Sequence, residues 1–316
     1  MIMAKRNKGR ALNGILLLDK PTGLSSNHAL QRVKRCYQAQ KAGHTGTLDP
    51  LATGMLPICF GEATKFSRFL LDTDKCYQTV ATLGERTDTL DSEGEVIESL
   101  PAKMTETDII GILPSFRGEI TQVPPMYSAL KQDGRPLYKL ARQGIEVERA
   151  ARDVTVYELE LMALKQDQAK LKAQFQVHCS KGTYIRSLVD DIGQALGCGA
   201  HVSELRRTQV AHFSEDQLVP WPVIEGLAKQ DDLAGLDAYL LPIESMLQGM
   251  SELRLTAEMA YYMRTGRPVS LNTQQAIGAY VCVFDEKAHQ FIGVAEVVAE
   301  NQLKAVRLLA TEVSNC

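Results

Sequence analysis

Asp49 lies in KAGHTGTLDPLATGMLPICFGEATKF, residues 41 to 66, where Gly43, Gly46 and Gly54 surround a single carboxylate. His44 comes just before it and an apolar run just after. A carboxylate in such a loop can serve as a nucleophile that splits one difficult step into two easier ones. Pro50 biases Asp49 away from helix toward extended or turn geometry. The glycines allow positive φ and let a ligand come close to the backbone. Asp-Pro also begins ordinary turns, so the local pattern alone does not separate a catalytic aspartate from a structural one. Two other constellations carry possible chemistry. His178 and Cys179 could be drawn together with Cys198 and His201 as zinc ligands, but they lack the paired spacing of a finger and fall in strand-like segments. DTLDSEGE, residues 88 to 95, has no D-x-D-x-D-G register and reads as a solvated turn rather than a calcium loop.

The elements that must position these groups follow from periodicity and punctuation. GILLLDKP predicts a buried strand ended by a turn, and SSNHALQRVKRCYQA a Ser-capped helix. MLPICF reads as a short strand, EATKFSRFLLD as a helix, and CYQTVATLGERT as an alternating strand. TETDIIGIL opens with a T-x-x-D capping pattern. Residues 115 to 144, broken by Pro124–Pro125 and Asp133–Gly134, predict a protruding excursion. VTVYELELMAL and KLKAQFQVHCS pair as a hairpin, YIRSLVDDIGQALG is a helix closed by Gly197, and HVSELRRTQVAHF returns to strand. QDDLAG reads as a loop before a small, mostly β unit with one helix. Strands and helices interleave without strict βαβ repetition, which predicts an α+β fold with a mixed, mostly antiparallel sheet.

The 316 residues suffice for one large domain or two unequal ones. No apolar run is long enough to cross a bilayer, and GILLL is too short for a signal-peptide core. Seven cysteines without a CxxC pattern point to a reducing compartment rather than a disulfide framework. The net charge of −3 conceals segregation: residues 1 to 42 hold nine Lys/Arg (5, 6, 8, 10, 20, 32, 34, 35, 41) against Asp19 alone. An acidic chain can therefore present one basic face to phosphates.

GHTGTLDPLATGMLPICFGEATK does not stand alone. Together with LLLDKPTGLSS, KCYQTVATLGERTDTLDSEG, QVPPMYSALKQDGRPLYKLARQG, SKGTYIRSL and GCGAHVSELRRT, it resembles the TruB family of bacterial tRNA pseudouridine synthases, in order from about residue 14 to 210. The resemblance implies a catalytic domain of pseudouridine synthase type over residues 1 to 247, with 115 to 144 as an RNA-gripping insertion. Residues 248 to 316 would form a β-rich, PUA-like RNA-binding domain. The expected reaction converts uridine 55 in the T loop of tRNA to pseudouridine by base flipping. Asp49 would be the nucleophile, acting either at uracil C6 or at ribose C1′. Arg186 would hold Asp49 ionised and oriented, lowering its pKa. Tyr77 would stack on the base and assist proton removal at C5. Tyr184, Leu205 and Lys20 would bind the uridine, and His44 would occupy the space left by the extruded base. No metal or organic cofactor is expected. The partner is the tRNA T stem-loop, and the protein is expected to be a cytoplasmic monomer with no membrane contact and no obligatory protein partner. Two competing classes are a tRNA-remodelling protein without turnover and the catalytic subunit of a guide-RNA ribonucleoprotein. Asp49, Arg186 and Tyr77 argue against the first, and the missing basic tails against the second.

Overall fold

The computed structural model describes residues 9–310, so Lys5, Arg6, Lys8 and Cys316 lie outside it. GILLLDK forms β1, Gly14–Lys20. An unbroken apolar run suits a strand covered on both faces. Leu16 and Leu18 enter one core cluster, Ile15 and Leu17 another. Ser25 accepts from the His28 N–H and starts α1, Ser26–Cys36, which buries Ala29, Leu30 and Val33. β2, Ala42–His44, leads through the Asp49 loop into β3, Thr53–Phe60. The single helix expected over EATKFSRFLLD is instead a 3-10 turn, Gly61–Lys65, followed by the one-turn helix α2, Arg68–Leu71. Phe66, between them, sets its ring 5.6 Å from that of Phe291, and this tertiary contact overrides local propensity.

β4, Lys75–Leu83, precedes a small hairpin of β5, Glu85–Thr87, and β6, Val96–Ser99. The Thr105–Asp108 capping box opens α3, Glu106–Ile112, as its sequence predicts. The excursion begins later than expected. Gly118–Gln122 forms β7, an edge strand of the main sheet, so the chain leaves the sheet only at 123. Beyond it lie β8, Lys131–Gln132, β9, Arg135–Pro136, and α4, Leu137–Ala141. β10, Arg152–Asp167, and β11, Lys170–Cys179, make the expected hairpin. α5, Ile185–Ala195, stops before Gly197, whose φ is +71°. β12, Ala200–Val210, and β13, Val219–Pro220, are followed by α6, Trp221–Lys229. QDDLAG is not a loop: Asp232 accepts from the Gly235 N–H and caps α7, Leu233–Asp237.

The main sheet runs β13-β1-β3-β12-β4-β11-β10-β7, with β2 also on β3. Its β1–β13 and β3–β12 pairs are parallel and the others antiparallel, the mixed arrangement expected. Inserting β12 between β3 and β4 brings residues 49, 77 and 205 to 207 together. Arg207 pairs with Gly54 on one side and Tyr77 on the other.

The C-terminal unit comprises β14, Ser251–Leu255, α8, Ala257–Arg264, β15, Val269–Ser270, β16, Tyr280–Asp285, β17, Phe291–Ala299, and β18, Gln302–Leu308. Its sheet order is β14-β16-β17-β18-β15. Cys282, Phe291 and Val294 from this sheet share a core cluster with Ile15, Leu17, Met55, Phe66 and Phe213 of the larger one. Among the described residues, no helix is long and apolar enough to cross a membrane.

Candidate active site

The loop carrying Asp49 is fixed from several directions. Ser26 Oγ donates to the Leu48 carbonyl at 2.9 Å and accepts the Leu48 N–H at 2.7 Å. The Ala52 N–H closes a turn on the Asp49 carbonyl at 3.1 Å, and the Gly23 N–H reaches the Pro50 carbonyl at 2.8 Å. Arg207, 1% exposed, donates from Nε to the Met55 carbonyl at 2.7 Å and from Nη2 to the Gly46 carbonyl at 3.0 Å. Gly54 is required by the protein's own packing. Gly54 has φ +91°, and a Cβ there would lie 2.3 Å from the Arg207 carbonyl.

Asp49 faces Arg186, the second residue of α5. Arg186 Nη2 donates to Oδ1 at 3.2 Å, and Nε lies 2.9 Å from Oδ2, close in charge but off-line for a hydrogen bond. The guanidinium side chain is 4% exposed and also serves two other segments. Nη1 donates to the Thr89 carbonyl at 2.8 Å and pairs with Asp91 Oδ2 at 3.3 Å, while Nη2 donates to the Tyr127 carbonyl at 2.7 Å. One cation thus stands between two carboxylates. Burial pushes the Asp49 carboxyl above the ordinary aspartate range, and Asp91 adds to the rise, while Arg186 pulls it back. Arg186 lowers the Asp49 pKa as expected, but desolvation is the larger effect and the net direction is upward.

A cleft of roughly 350 Å³ opens over this pair, walled by Tyr77, Tyr184, Leu205, Ser128 and Arg152. Tyr77 projects from β4 and is 9% exposed. Burial raises its phenol pKa, with the Arg207 guanidinium opposing, so the hydroxyl is protonated at neutral pH. Tyr184 caps the start of α5, with the Arg152 guanidinium 4.7 Å over its ring. Leu205 reaches the cleft from β12 at 8% exposure.

Two of the residues expected to contact the RNA do not line the cleft. Lys20 is fully buried, and its ammonium donates to the Pro21, Leu24 and Pro50 carbonyls at 2.9, 2.7 and 3.3 Å. Burial lowers its pKa to about 8. It braces the loop from beneath and does not line the cleft. His44 ends β2, half-buried and outside the cleft lining, with Nδ1 buried and unpartnered. Burial, assisted by Arg207, lowers its pKa and favours a neutral ring.

Sequence reasoning misses Asp91 and Arg207. The 88–95 turn is not simply solvated, since Asp91 is 3% exposed and points at Arg186. Arg207 carries one signal: consecutive arginines in a strand must face opposite ways, and Arg206 pairs outward with Asp19 and Glu215 while Arg207 turns in. The four residues weighed as zinc ligands do not converge. His178 pairs with Cys76 and His201 with Thr82, six positions apart on β4, which at ~3.3 Å per residue is about 20 Å.

Residues 34–185 match the TruB family pseudouridylate synthase N-terminal domain. Residues 186–248 match the tRNA pseudouridylate synthase B C-terminal domain, and 251–309 the C-terminal domain of pseudouridine synthase II TruB. The chain is 51% identical over 304 residues to tRNA pseudouridine synthase B of Mannheimia succiniciproducens, covering 96% of this chain and 98% of that one. The same-named protein of Pasteurella multocida is 51% identical over 308 residues, covering 97% and 99%. Among solved structures, a Cbf5-Nop10-Gar1 complex contains a chain similar to this one at TM-score 0.71 and 26% identity, covering 94% of this chain and 84% of that one.

Proposed function

This chain belongs to the TruB family of pseudouridylate synthases and is a tRNA pseudouridine synthase; from that premise we propose that it isomerises uridine 55 of the T loop, with Asp49, Arg186 and Tyr77 as the catalytic group. The observation that carries the site assignment is the Asp49–Arg186 pair at the base of a cleft walled by Tyr77, Tyr184 and Leu205. A uridine must leave the stack to reach a carboxylate so placed. Asp49 attacks the flipped nucleotide, the N-glycosidic bond breaks, and the uracil turns between Tyr77 and Leu205. C5 then bonds to C1′, and the bond to Asp49 breaks and returns the free carboxylate. The C5 proton departs past the Tyr77 hydroxyl, which relays it, and N1, freed from the sugar, takes up a proton. Atoms and electrons balance without an oxidant or reductant.

Arg186 keeps Asp49 aimed and anionic against the desolvation of the cleft. His44, neutral and outside the cleft, stacks where the flipped base has left. The excursion from residue 123 carries exposed Lys131, Arg135, Lys139 and Arg142, suited to phosphates. Residues 248–316 are assigned to further RNA contact, and the enzyme acts as a monomer without guide RNA. The test is tritium release by purified protein from tRNA transcript labelled with [5-³H]uridine. One tritium per tRNA is expected, and none from a transcript bearing cytidine at position 55. Equal release from both transcripts would place the target elsewhere.

A further inference from the structure

Gln122 ends β7 and is 1% exposed. Its carboxamide grips both sides of the Tyr184 residue's main chain. Oε1 accepts the Tyr184 N–H at 2.8 Å, and Nε2 donates to the Tyr184 carbonyl at 3.0 Å. Tyr184 is the N-cap of α5 and makes no side-chain capping bond of its own, so a residue 62 positions away fixes the entry to this helix. The same turn of α5 is tied to the root of the excursion twice more. Ser187 Oγ donates to the Val123 carbonyl at 3.1 Å, and Arg186 Nη2 to the Tyr127 carbonyl at 2.7 Å. The Tyr184 ring walls the cleft, and Arg186 follows two residues later, so a tilt of the Tyr184 backbone displaces both. The Gln122 backbone is held separately, paired with Arg152 in the β7–β10 ladder.

We propose that Gln122 is a positioning residue for the isomerisation: its two-point hold on Tyr184 sets the Tyr184 wall and the aim of Arg186 at Asp49. A single hydrogen bond would leave the helix entry free to rock, whereas a paired donor and acceptor fix its direction as well as its distance. The proposal rests on Asp49 and Arg186 being the catalytic pair.

The test uses the full chain carrying Gln122→Met, which keeps length without hydrogen bonding, or Gln122→Asn, which keeps the amide but is one methylene too short to reach both groups. Three quantities are measured: the single-turnover rate constant at saturating enzyme, the Kd for tRNA, and the melting temperature. Each variant should lose at least tenfold in rate constant with Kd within twofold of wild type, because the ladder still holds the excursion's root. A purely structural role would lower melting temperature and reacting amplitude but leave the rate constant of the folded fraction intact. If Gln122→Met does not fold, Gln122→Asn carries the measurement. A rate constant within twofold of wild type, or a Kd that weakens in step with the rate, overturns the proposal. Asp49→Asn run alongside keeps the two ideas apart, since turnover by that variant would remove the catalytic pair whatever Gln122 does.

Discussion

Replacing Arg186 by lysine keeps the charge and removes the fork. The guanidinium meets five oxygens: Asp49 Oδ1 at 3.2 Å and Oδ2 at 2.9 Å, Asp91 Oδ2 at 3.3 Å, and the Thr89 and Tyr127 carbonyls at 2.8 and 2.7 Å. Three of these contacts are hydrogen bonds, to Asp49 Oδ1 and to the Thr89 and Tyr127 carbonyls, given from two separate nitrogens of the fork. A single ammonium nitrogen cannot span both positions, so one of the two carbonyls goes without a partner. The side chain is 4% exposed, so water does not readily take its place. An unmet buried acceptor costs about 1–3 kcal/mol. If all of this is felt in the transition state, the rate falls between about fivefold and about 150-fold, at tenfold per ~1.4 kcal/mol. Any part already felt in the resting protein lowers the melting temperature instead. Single-turnover tritium release at saturating enzyme gives the first quantity, and thermal unfolding the second. Arg186→Lys reacting within threefold of wild type at unchanged melting temperature would refute the multipoint hold.

Asp49→Asn should abolish turnover while leaving tRNA Kd within about threefold, since phosphate contacts elsewhere supply most affinity. It should also melt no lower than wild type at neutral pH. A carboxyl whose folded pKa is raised contributes stability at low pH and loses it as pH rises through that pKa, so a clear drop would contradict the burial argument. Activity should fall as acid protonates Asp49, and Asp91→Asn, which removes a like charge that raises Asp49, should move this acid limb to lower pH; an upward move would be inconsistent. Tyr77→Phe should bind RNA normally yet stall after base rotation, and Tyr77→Leu should also lose base stacking, about 1–3 kcal/mol. Wild-type rates for Tyr77→Phe would leave Tyr77 as a platform only. Lys139→Ala with Arg142→Ala should weaken tRNA binding and flatten the slope of log K against log salt by about 1 for each phosphate no longer neutralised; an unchanged slope would take the excursion off the RNA.

Much of this architecture is readable from local pattern. The Thr105–Asp108 capping box, the β10–β11 hairpin and Gly197 after α5 are each decided by a few neighbouring residues. What escapes is set by distant partners. The helix expected over EATKFSRFLLD breaks because Phe66 answers to Phe291. The 88–95 turn has polar composition, but which of its carboxylates turns inward depends on an arginine 95 positions later. Lys20 shows the converse error. Its place beside the site is legible, but the three carbonyls that occupy its ammonium are not. QDDLAG does carry its own signal in Asp232, outweighed by acidic composition.

The apolar seam between the two sheets has a thermodynamic consequence. Ile15, Leu17 and Met55 lie in the same cluster as Cys282, Phe291 and Val294, and the Phe66 ring meets that of Phe291. Separating the sheets would return this surface to water at about 25 cal/mol per Å². The C-terminal unit is therefore not an appendage that melts by itself. Calorimetry should record one transition for the whole chain, and a severed N-terminal piece should associate or precipitate through the uncovered faces of β1 and β3. Two units that look separable in sequence share one unfolding free energy.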